Sequence, residues 1–333
     1  MIKTKSFLFI PILTVSSLVM SACATNTYGS YNIPSSLSYY ASHLDDKLYT
    51  INKIDEQNDI TYSFAFVTDL HIEYNTNNSG TILKAINKKY QLDKVVLGGD
   101  YISNDYKDVN KAISLMKECI NPFTSLNYTA IVGNHDSNNY AKIGAPKIPD
   151  NEVFGIINRK EAKYPYSLEK DETNKICSFY LNTGEGHGSF KDEEQKVFLY
   201  DNLMSLDDSW SVLIFMHIVF DGSYENNNSS VIQDCGTQFI DYVNSFYKDL
   251  KCSLIGVFSG HSHLDNLDTK TYFCPFVTTM CDSIGVSNPD YNIYQRKKRT
   301  VTEQAFDIVQ VDTTSRKVFL TRIGCGSDRY YSY

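Results

Sequence analysis

The sequence has few histidines, no closely spaced cysteine pair and no excess of positive charge. Its 8 Cys include no Cys-x-x-Cys pair, which argues against a zinc ribbon and against a dithiol redox protein. The 31 Lys and Arg are outnumbered by 39 Asp and Glu, which gives a net charge of −8. Extended binding to nucleic acid needs a basic surface, so we expect none. The 42% hydrophobic and 21% charged residues are typical of a globular protein.

The first residues have the features of an export signal. Lys3 and Lys5 precede an apolar stretch over residues 7–20, and the small residues Ser21 and Ala22 follow it. The stretch is shorter than the roughly 20 residues that a membrane-spanning helix needs. A positive start, a short apolar middle and small residues at the end are typical of a cleaved secretory signal. We therefore expect residues 1–22 to be a signal peptide and the mature protein to be exported.

The residues around Cys23 resemble a bacterial lipobox. In that motif small residues precede a cysteine, which is lipidated and becomes the mature N-terminus. We expect Cys23 to anchor the protein to the outer side of a bacterial cell membrane. Residues 23–58 would then be a lipidated tether and approach segment, and 59–333 a single domain. The alternative is an ordinary cleaved signal with an incidental cysteine.

From residue 59 onward, short apolar runs alternate with amphipathic segments. The runs predict buried strands at 61–67, 94–97, 128–132, 176–181, 211–216 and 253–258. Apolar residues spaced by three and four predict helices at 82–91, 110–120, 191–206 and 238–250. Further strands are expected at 272–277, 305–311 and 317–322. The alternation indicates an α/β fold that ends in an antiparallel element.

Polar clusters follow five of these strands directly, and they contain five of the seven histidines. The clusters supply Asp69, His71, Asp100, Asn134, His135, Asp136, His217, His261 and His263. In open α/β sheets, ligands bind beyond the carboxyl ends of the strands. We therefore expect one crevice to collect all five clusters, although each cluster taken alone could be a turn, a cap or a buried core residue.

The clusters offer imidazole and oxygen donors and no thiolate. Ions such as Mn, Fe or Zn bind such donor sets, whereas structural zinc sites are usually richer in cysteine. Seven of these residues are candidate ligands, which is more than one tetrahedral ion needs: Asp69, His71, Asp100, Asn134, His217, His261 and His263. Two ions sharing one carboxylate would use all seven, and paired ions about 3.5–4 Å apart are common where phosphate esters are hydrolysed. The identity of the ions stays open.

The order of the motifs resembles the calcineurin-like metallophosphoesterase superfamily. The matching blocks are Asp69-x-His71, Gly99-Asp100, Gly133-Asn134-His135-Asp136, His217 and Gly260-His261-x-His263. The resemblance covers about residues 60–265. It implies a two-sheet β-sandwich of the α/β class flanked by helices, with a bimetal site at the carboxyl ends of the strands. The implied activity is hydrolysis of a phosphate mono- or diester by a hydroxide that bridges the two ions.

The resemblance also assigns a role to each candidate residue. The first ion would have three ligands of its own, namely Asp69, His71 and His263. The second ion would also have three, namely Asn134, His217 and His261. Asp100 would bridge both ions. His135 would face the substrate and assist the leaving group, and Asp136 would orient its imidazole.

Some residues depart from subgroups of the family or stand outside its motifs. Purple acid phosphatases have Gly in place of His71 and a ligand Tyr in place of Ser103, which argues against that subgroup. Tyr101, directly after Asp100, is a candidate substrate neighbour. His43 and His187 are expected to be packing or surface residues. The substrate should be selected by the loops over 137–175 and 221–234, whose sequences show no pattern that identifies it.

Two readings from other functional classes stay open. The chain could be a binding or scaffold protein that kept the fold and lost catalysis. Such proteins usually lack metal ligands, whereas no ligand position is vacant here. It could also be a surface lipoprotein that binds metal for uptake, which would bind a single ion reversibly and turn over no substrate.

Overall fold

The computed structural model describes residues 33–140, 144–184, 188–225, 229–285 and 295–333. The expected signal peptide, the candidate lipidation site Cys23 and His187 lie outside these ranges. Within them, no helix is both long enough and apolar enough to cross a membrane.

Strands and helices alternate along most of the described chain. The fourteen strands of this part are β1 (Tyr62–Val67), β2 (Lys94–Leu97), β3 (Tyr128–Ala130), β4 (Ser167–Asp171), β5 (Ile176–Tyr180), β6 (Ser211–Phe215), β7 (Phe220–Glu225), β8 (Ser229–Ile232), β9 (Ser253–Ser259), β10 (Asn266–Asp268), β11 (Phe276–Thr278), β12 (Ala305–Asp312), β13 (Lys317–Gly324) and β14 (Arg329–Ser332). Its α-helices are α1 (Ala41–Gln57), α2 (Ser79–Asn87), α3 (Val109–Ile120), α4 (Asp150–Asn158), α5 (Glu193–Ser205) and α6 (Asp234–Asn244). Short 3₁₀ turns occupy Ser35–Tyr40, Asn121–Phe123 and Tyr247–Asp249.

Two mixed sheets of six strands each form the centre of the molecule. The first has the order β14-β13-β12-β1-β2-β3 and the second β10-β11-β9-β6-β5-β4, while β7 and β8 form a separate hairpin. In the first sheet β1, β2 and β3 are parallel. In the second, β5, β6, β9 and β11 are parallel. The carboxyl ends of parallel strands lie at the same edge of a sheet, so each sheet presents several of the predicted polar clusters together.

The two sheets pack face to face, with helices on both outer faces. Because side chains alternate along a strand, Phe64 and Phe66 of β1 point between the sheets and contact Phe215 and Phe258 of the second sheet. The opposite face of β1 packs under α1 to α4. Helices α5 and α6 cover the outer face of the second sheet. This arrangement confirms the predicted two-sheet sandwich flanked by helices.

The predicted elements are present, with shifts at their ends. The strand expected at 272–277 begins only at Phe276, because Pro275 has no N–H to donate to a sheet ladder. The helix expected at 238–250 begins earlier, at Asp234. Helix α4 and strand β4 lie in the loop region 137–175, for which the sequence analysis gave no element.

Helix α1 is the largest element that the sequence analysis missed. It lies within residues 23–58, which were expected to be a tether and approach segment. Its buried residues Leu44, Leu48 and Ile51 recur at four- and three-residue intervals and join the core beneath the first sheet. His43 of this helix accepts the Gly324 N–H at 3.0 Å through Nε2, which is a packing role. The described end of this segment is therefore part of the folded domain.

Candidate metal centre

Five loops carry the candidate ligands, and each loop begins where a parallel strand ends. They follow β1, β2, β3, β6 and β9. Backbone hydrogen bonds join them: the Asp69 N–H donates to Gly99 O at 3.0 Å, and the Gly260 N–H donates to His217 O at 3.1 Å. Between the two sheets, the backbone N–H of His261 donates to Asp69 Oδ2 at 3.0 Å. The loops of both sheets thus meet at one edge, which is the crevice that the sequence predicts.

The backbone of this edge is strained at the candidate ligands. Five of them have a positive φ, namely Asp69 (55°), His71 (40°), Asp100 (56°), His261 (66°) and His263 (58°). Such angles are uncommon outside glycine and cluster at functional sites. Gly99 is also required, because a Cβ there would lie 2.7 Å from His217 Nδ1 and 2.9 Å from the Gly133 Cα. The fold therefore turns the chain sharply to bring these side chains together.

The first ligand group consists of Asp69, His71, Asp100 and His263. One ligand atom from each residue lies within 4.8 Å of those of the others. The Nε2 atoms of His71 and His263 are 3.3 Å apart. His263 Nε2 is also 3.3 Å from Asp69 Oδ1, and His71 Nε2 is 3.8 Å from Asp100 Oδ2.

The second ligand group consists of Asp100, His217 and His261, and Asn134 lies against it. His217 Nε2 is 3.2 Å from Asp100 Oδ2 and 3.0 Å from Asn134 Oδ1. Asn134 Oδ1 is in turn 2.9 Å from His261 Nδ1. Among the residues that the structure describes, only Asp100 belongs to both groups.

The donor atoms fit a cation. His217 Nδ1 lies 2.7 Å from Gly98 O, so this nitrogen donates its proton to the carbonyl oxygen. In a neutral ring the lone pair of Nε2 then points at two oxygen atoms, those of Asp100 and Asn134. Lone pairs facing each other repel unless a proton or a metal ion lies between them. Imidazole nitrogens, carboxylates and an amide oxygen together suit Mn, Fe or Zn.

More than half of the chain, residues 62–265, matches the family model of the calcineurin-like phosphoesterases. The chain belongs to this family. No curated protein sequence matches the chain significantly. Among solved structures, it is similar to a dimetal phosphatase from Danio rerio, with a TM-score of 0.53 and 15% identity over 82% of this chain and 99% of that one. It is also similar to a purple acid phosphatase from yellow lupin, with a TM-score of 0.53 and 11% identity over 81% of this chain and 53% of that one. At such identities these likenesses show the shared fold alone.

The charges of the two ligand groups perturb one another. Burial opposes protonation of His217, but the carboxylates of Asp100 and Asp69 raise its pKa to about 10. Burial also disfavours an ionised Asp100, yet His217 holds the pKa of that carboxyl well below its usual value. Burial lowers the pKa of His71 to about 3 and that of His261 to about 4. These two rings are neutral near pH 7, which is the state in which imidazole binds a metal.

His135 lies beside the ligand groups and belongs to neither of them. Its Nδ1 is 2.8 Å from the carbonyl oxygen of Ser103, and its Nε2 is 4.0 Å from Asp100 Oδ2. The ring of Tyr140 stacks on the imidazole at a centroid distance of 3.8 Å and an angle of 27°. The His135 side chain is 18% exposed, so it is open to a bound molecule.

The predicted role of Asp136 is wrong in its detail. The sequence analysis expected this carboxylate to orient His135, but His135 Nδ1 pairs with Ser103 O. The fully buried Asp136 accepts the backbone N–H groups of Asp100, Tyr101 and Gly133 at 3.0, 2.8 and 2.8 Å. Burial and the charge of Asp100 raise its pKa to about 8, while these backbone donors oppose the shift. Asp136 therefore fixes the loop that carries Asp100.

Tyr101 is not a substrate neighbour. Its side chain is fully buried, and its hydroxyl donates to the carbonyl oxygens of Leu97 and Ile131 at 3.0 and 2.9 Å. Two residues that do lie at the site, Ser103 and Tyr140, were not predicted to act there. Only the spacing of Ser103 from Asp100 singled it out in the sequence, and no pattern singled out Tyr140. Their roles depend on contacts between loops that are far apart along the chain.

Proposed function

We propose that this protein is a metal-dependent phosphoesterase that hydrolyses a phosphate mono- or diester. The observation that carries the proposal is the position of Asp100, whose carboxylate belongs to both ligand groups. With Asn134 beside the second group, all seven residues proposed as metal ligands lie at one edge of the two sheets. The fit of these donors to two cations and the membership of the family support the same activity.

Two bound ions would polarise the phosphate and acidify a water molecule to the hydroxide that attacks phosphorus. The chain itself would supply the proton for the leaving group. His135 holds the proton of its Nδ1 against Ser103 O, so proton exchange is left to Nε2. We propose that the ring takes up a second proton at Nε2 and donates this proton to the departing oxygen, as a general acid does. Because the ligand groups do not include His135, this role leaves metal binding intact.

The proposed activity is tested by hydrolysis of a chromogenic phosphate monoester and a diester. We expect hydrolysis of at least one of them with Mn, Fe or Zn, no hydrolysis after chelation, and restoration when the ion is returned. Asp100→Asn should abolish the activity because it weakens both ion sites. The matched control is Asp207→Asn, which changes an exposed carboxylate in the turn before β6. Hydrolysis that survives both chelation and Asp100→Asn would contradict the proposal.

We also propose that the protein is exported and lipid-anchored at Cys23 on the outer side of a bacterial cell membrane. The basic start, the short apolar stretch and the lipobox-like residues before Cys23 support this. Metabolic labelling with a fatty-acid analogue should label this protein in the membrane fraction. Cys23→Ala should abolish the label, whereas Cys119→Ala, at a buried cysteine of α3, should keep it. A label that persists in Cys23→Ala would contradict the anchor.

A further inference from the structure

Ser103 contacts two imidazoles of the site with two different atoms. Its hydroxyl oxygen is 2.7 Å from His71 Nδ1. Its carbonyl oxygen is 2.8 Å from His135 Nδ1. One of these rings belongs to the first ligand group and the other to neither group. A single residue thus touches a proposed metal ligand and the proposed acid.

The partner of each ring nitrogen, including a bound ion, decides which nitrogen carries the proton. His71 Nε2 points into the first ligand group, 3.3 Å from His263 Nε2 and 3.8 Å from Asp100 Oδ2. A ring that binds an ion through Nε2 carries its proton on Nδ1, and a partner on that side fixes the tautomer. The hydroxyl of Ser103 is in place to accept this proton. A carbonyl oxygen can only accept, so His135 likewise carries a proton on Nδ1.

The backbone of Ser103 is held by contacts that involve neither histidine. The carboxylate of Glu73 accepts the Ser103 N–H at 2.9 Å and the Asn104 N–H at 3.2 Å. It also accepts the Tyr106 hydroxyl at 2.7 Å. The backbone of Ser103 is therefore held in place independently of the two imidazoles that it contacts.

We propose that Ser103 is a positioning residue: its carbonyl oxygen fixes the Nδ1–H tautomer of His135, and its hydroxyl holds the His71 ring through Nδ1. Its hydroxyl acts on His71 and so strengthens the ion site of the first ligand group. Its carbonyl acts on His135. The effect on metal binding rests on the proposed function, whereas the hydrogen bonds of Ser103 to the two rings are a property of the protein alone. Removing the hydroxyl separates the two effects, because the carbonyl remains.

The tautomers are measured by nitrogen NMR of the protein labelled with ¹⁵N-histidine, without added metal. In the wild type, at a pH where the ring is neutral, we expect His135 as the Nδ1–H tautomer. Ser103→Ala should shift the nitrogen signal of His71 Nδ1, which loses its hydrogen-bond partner, and should leave His135 unchanged, and Ser103→Thr should restore the His71 signal. The matched control is Ser137→Ala, because the Ser137 hydroxyl is buried with no hydrogen-bond partner among the described residues. An unchanged His71 signal in Ser103→Ala would overturn the proposal.

The second measurement is the affinity for Mn or Zn, by titration of the same four proteins. Loss of a partner that orients a ligand typically weakens metal binding about 10–100-fold, so we expect this loss for one ion in Ser103→Ala. The affinity for the other ion should stay unchanged, and Ser103→Thr should recover the first. Equal affinities in wild type and Ser103→Ala would overturn the effect on the metal. A wild type that bound no ion would contradict the proposed function, and the nitrogen signals would still decide the role of Ser103.

Discussion

The carboxylate of Asp136 accepts the backbone N–H of Asp100 at 3.0 Å. It also accepts the N–H of Gly133 at 2.8 Å, so it joins the loop after β2 to the loop after β3. This bond holds the backbone of Asp100, whose carboxylate belongs to both ligand groups. The residue next to His135 along the chain thus acts on a proposed metal ligand and not on the imidazole.

Replacing Asp136 should cost stability as well as activity. A buried donor that loses its hydrogen-bond partner costs about 1–3 kcal/mol of stability, and Asp136→Asn replaces one acceptor oxygen with an NH₂ group. We expect the free energy of unfolding, measured by chemical denaturation without added metal, to fall by about 2 kcal/mol. An unchanged free energy of unfolding together with lost turnover would contradict this account and favour a role on His135.

Replacing His135 should slow turnover and leave the ions in place. General acid catalysis contributes about 10²–10⁴-fold to rates, so His135→Ala should lower kcat by a factor in that range. The metal content, measured by elemental analysis, should equal that of the wild type because the ligand groups do not include His135. His43→Ala, at a histidine on α1, is the matched control for both readouts. Loss of an ion in His135→Ala would make His135 a ligand.

The stacking of Tyr140 on His135 should contribute less to the reaction rate than His135 itself does. Aromatic pairs of this kind contribute about 0.5–1.5 kcal/mol beyond the area they bury, which corresponds to about a two- to twelve-fold change in rate. We expect Tyr140→Ala to lower kcat/KM by a factor in this range and Tyr140→Phe to keep it. Tyr49→Ala, at an exposed tyrosine of α1, should have no effect. Equal kcat/KM for Tyr140→Ala and wild type would show that the stack does not support His135.

Metal binding should release a proton and strengthen as the pH rises. Asp100 and Asp69 raise the pKa of the buried His217 to about 10, so this ring is protonated at pH 7 before an ion binds. An ion needs the neutral ring and must displace that proton. Its affinity should therefore increase with pH up to about 10. Calorimetric titration in buffers of different ionisation enthalpy should show about one proton released at pH 7–8, and no release would contradict this.

The closeness of the candidate ligands could be predicted from the sequence because they lie next to strands. Asp69, Asp100, Asn134, His217 and His261 each follow a parallel strand closely, and parallel strands end at one edge. A local sequence pattern was therefore enough to predict that residues far apart along the chain lie close together.

The contacts of Ser103 and Asp136 could not be predicted in this way. These contacts depend on which loops face each other, and the packing of the two sheets determines that. Helix α1 carried a helical spacing of Leu44, Leu48 and Ile51, but its position before the first strand made the segment look like a tether. Strand β14 is a short edge strand that carries Tyr330, exposed by 75%, so its sequence lacks the apolar run that marks the buried strands.

The most direct test of the account is anomalous diffraction from crystals of the protein loaded with Mn or Zn. We expect two anomalous peaks about 3.5–4 Å apart, with the carboxylate of Asp100 touching both. One peak should lie among Asp69, His71 and His263, and the other among Asn134, His217 and His261. A single peak, or no peak at Asp100, would contradict the bimetal centre.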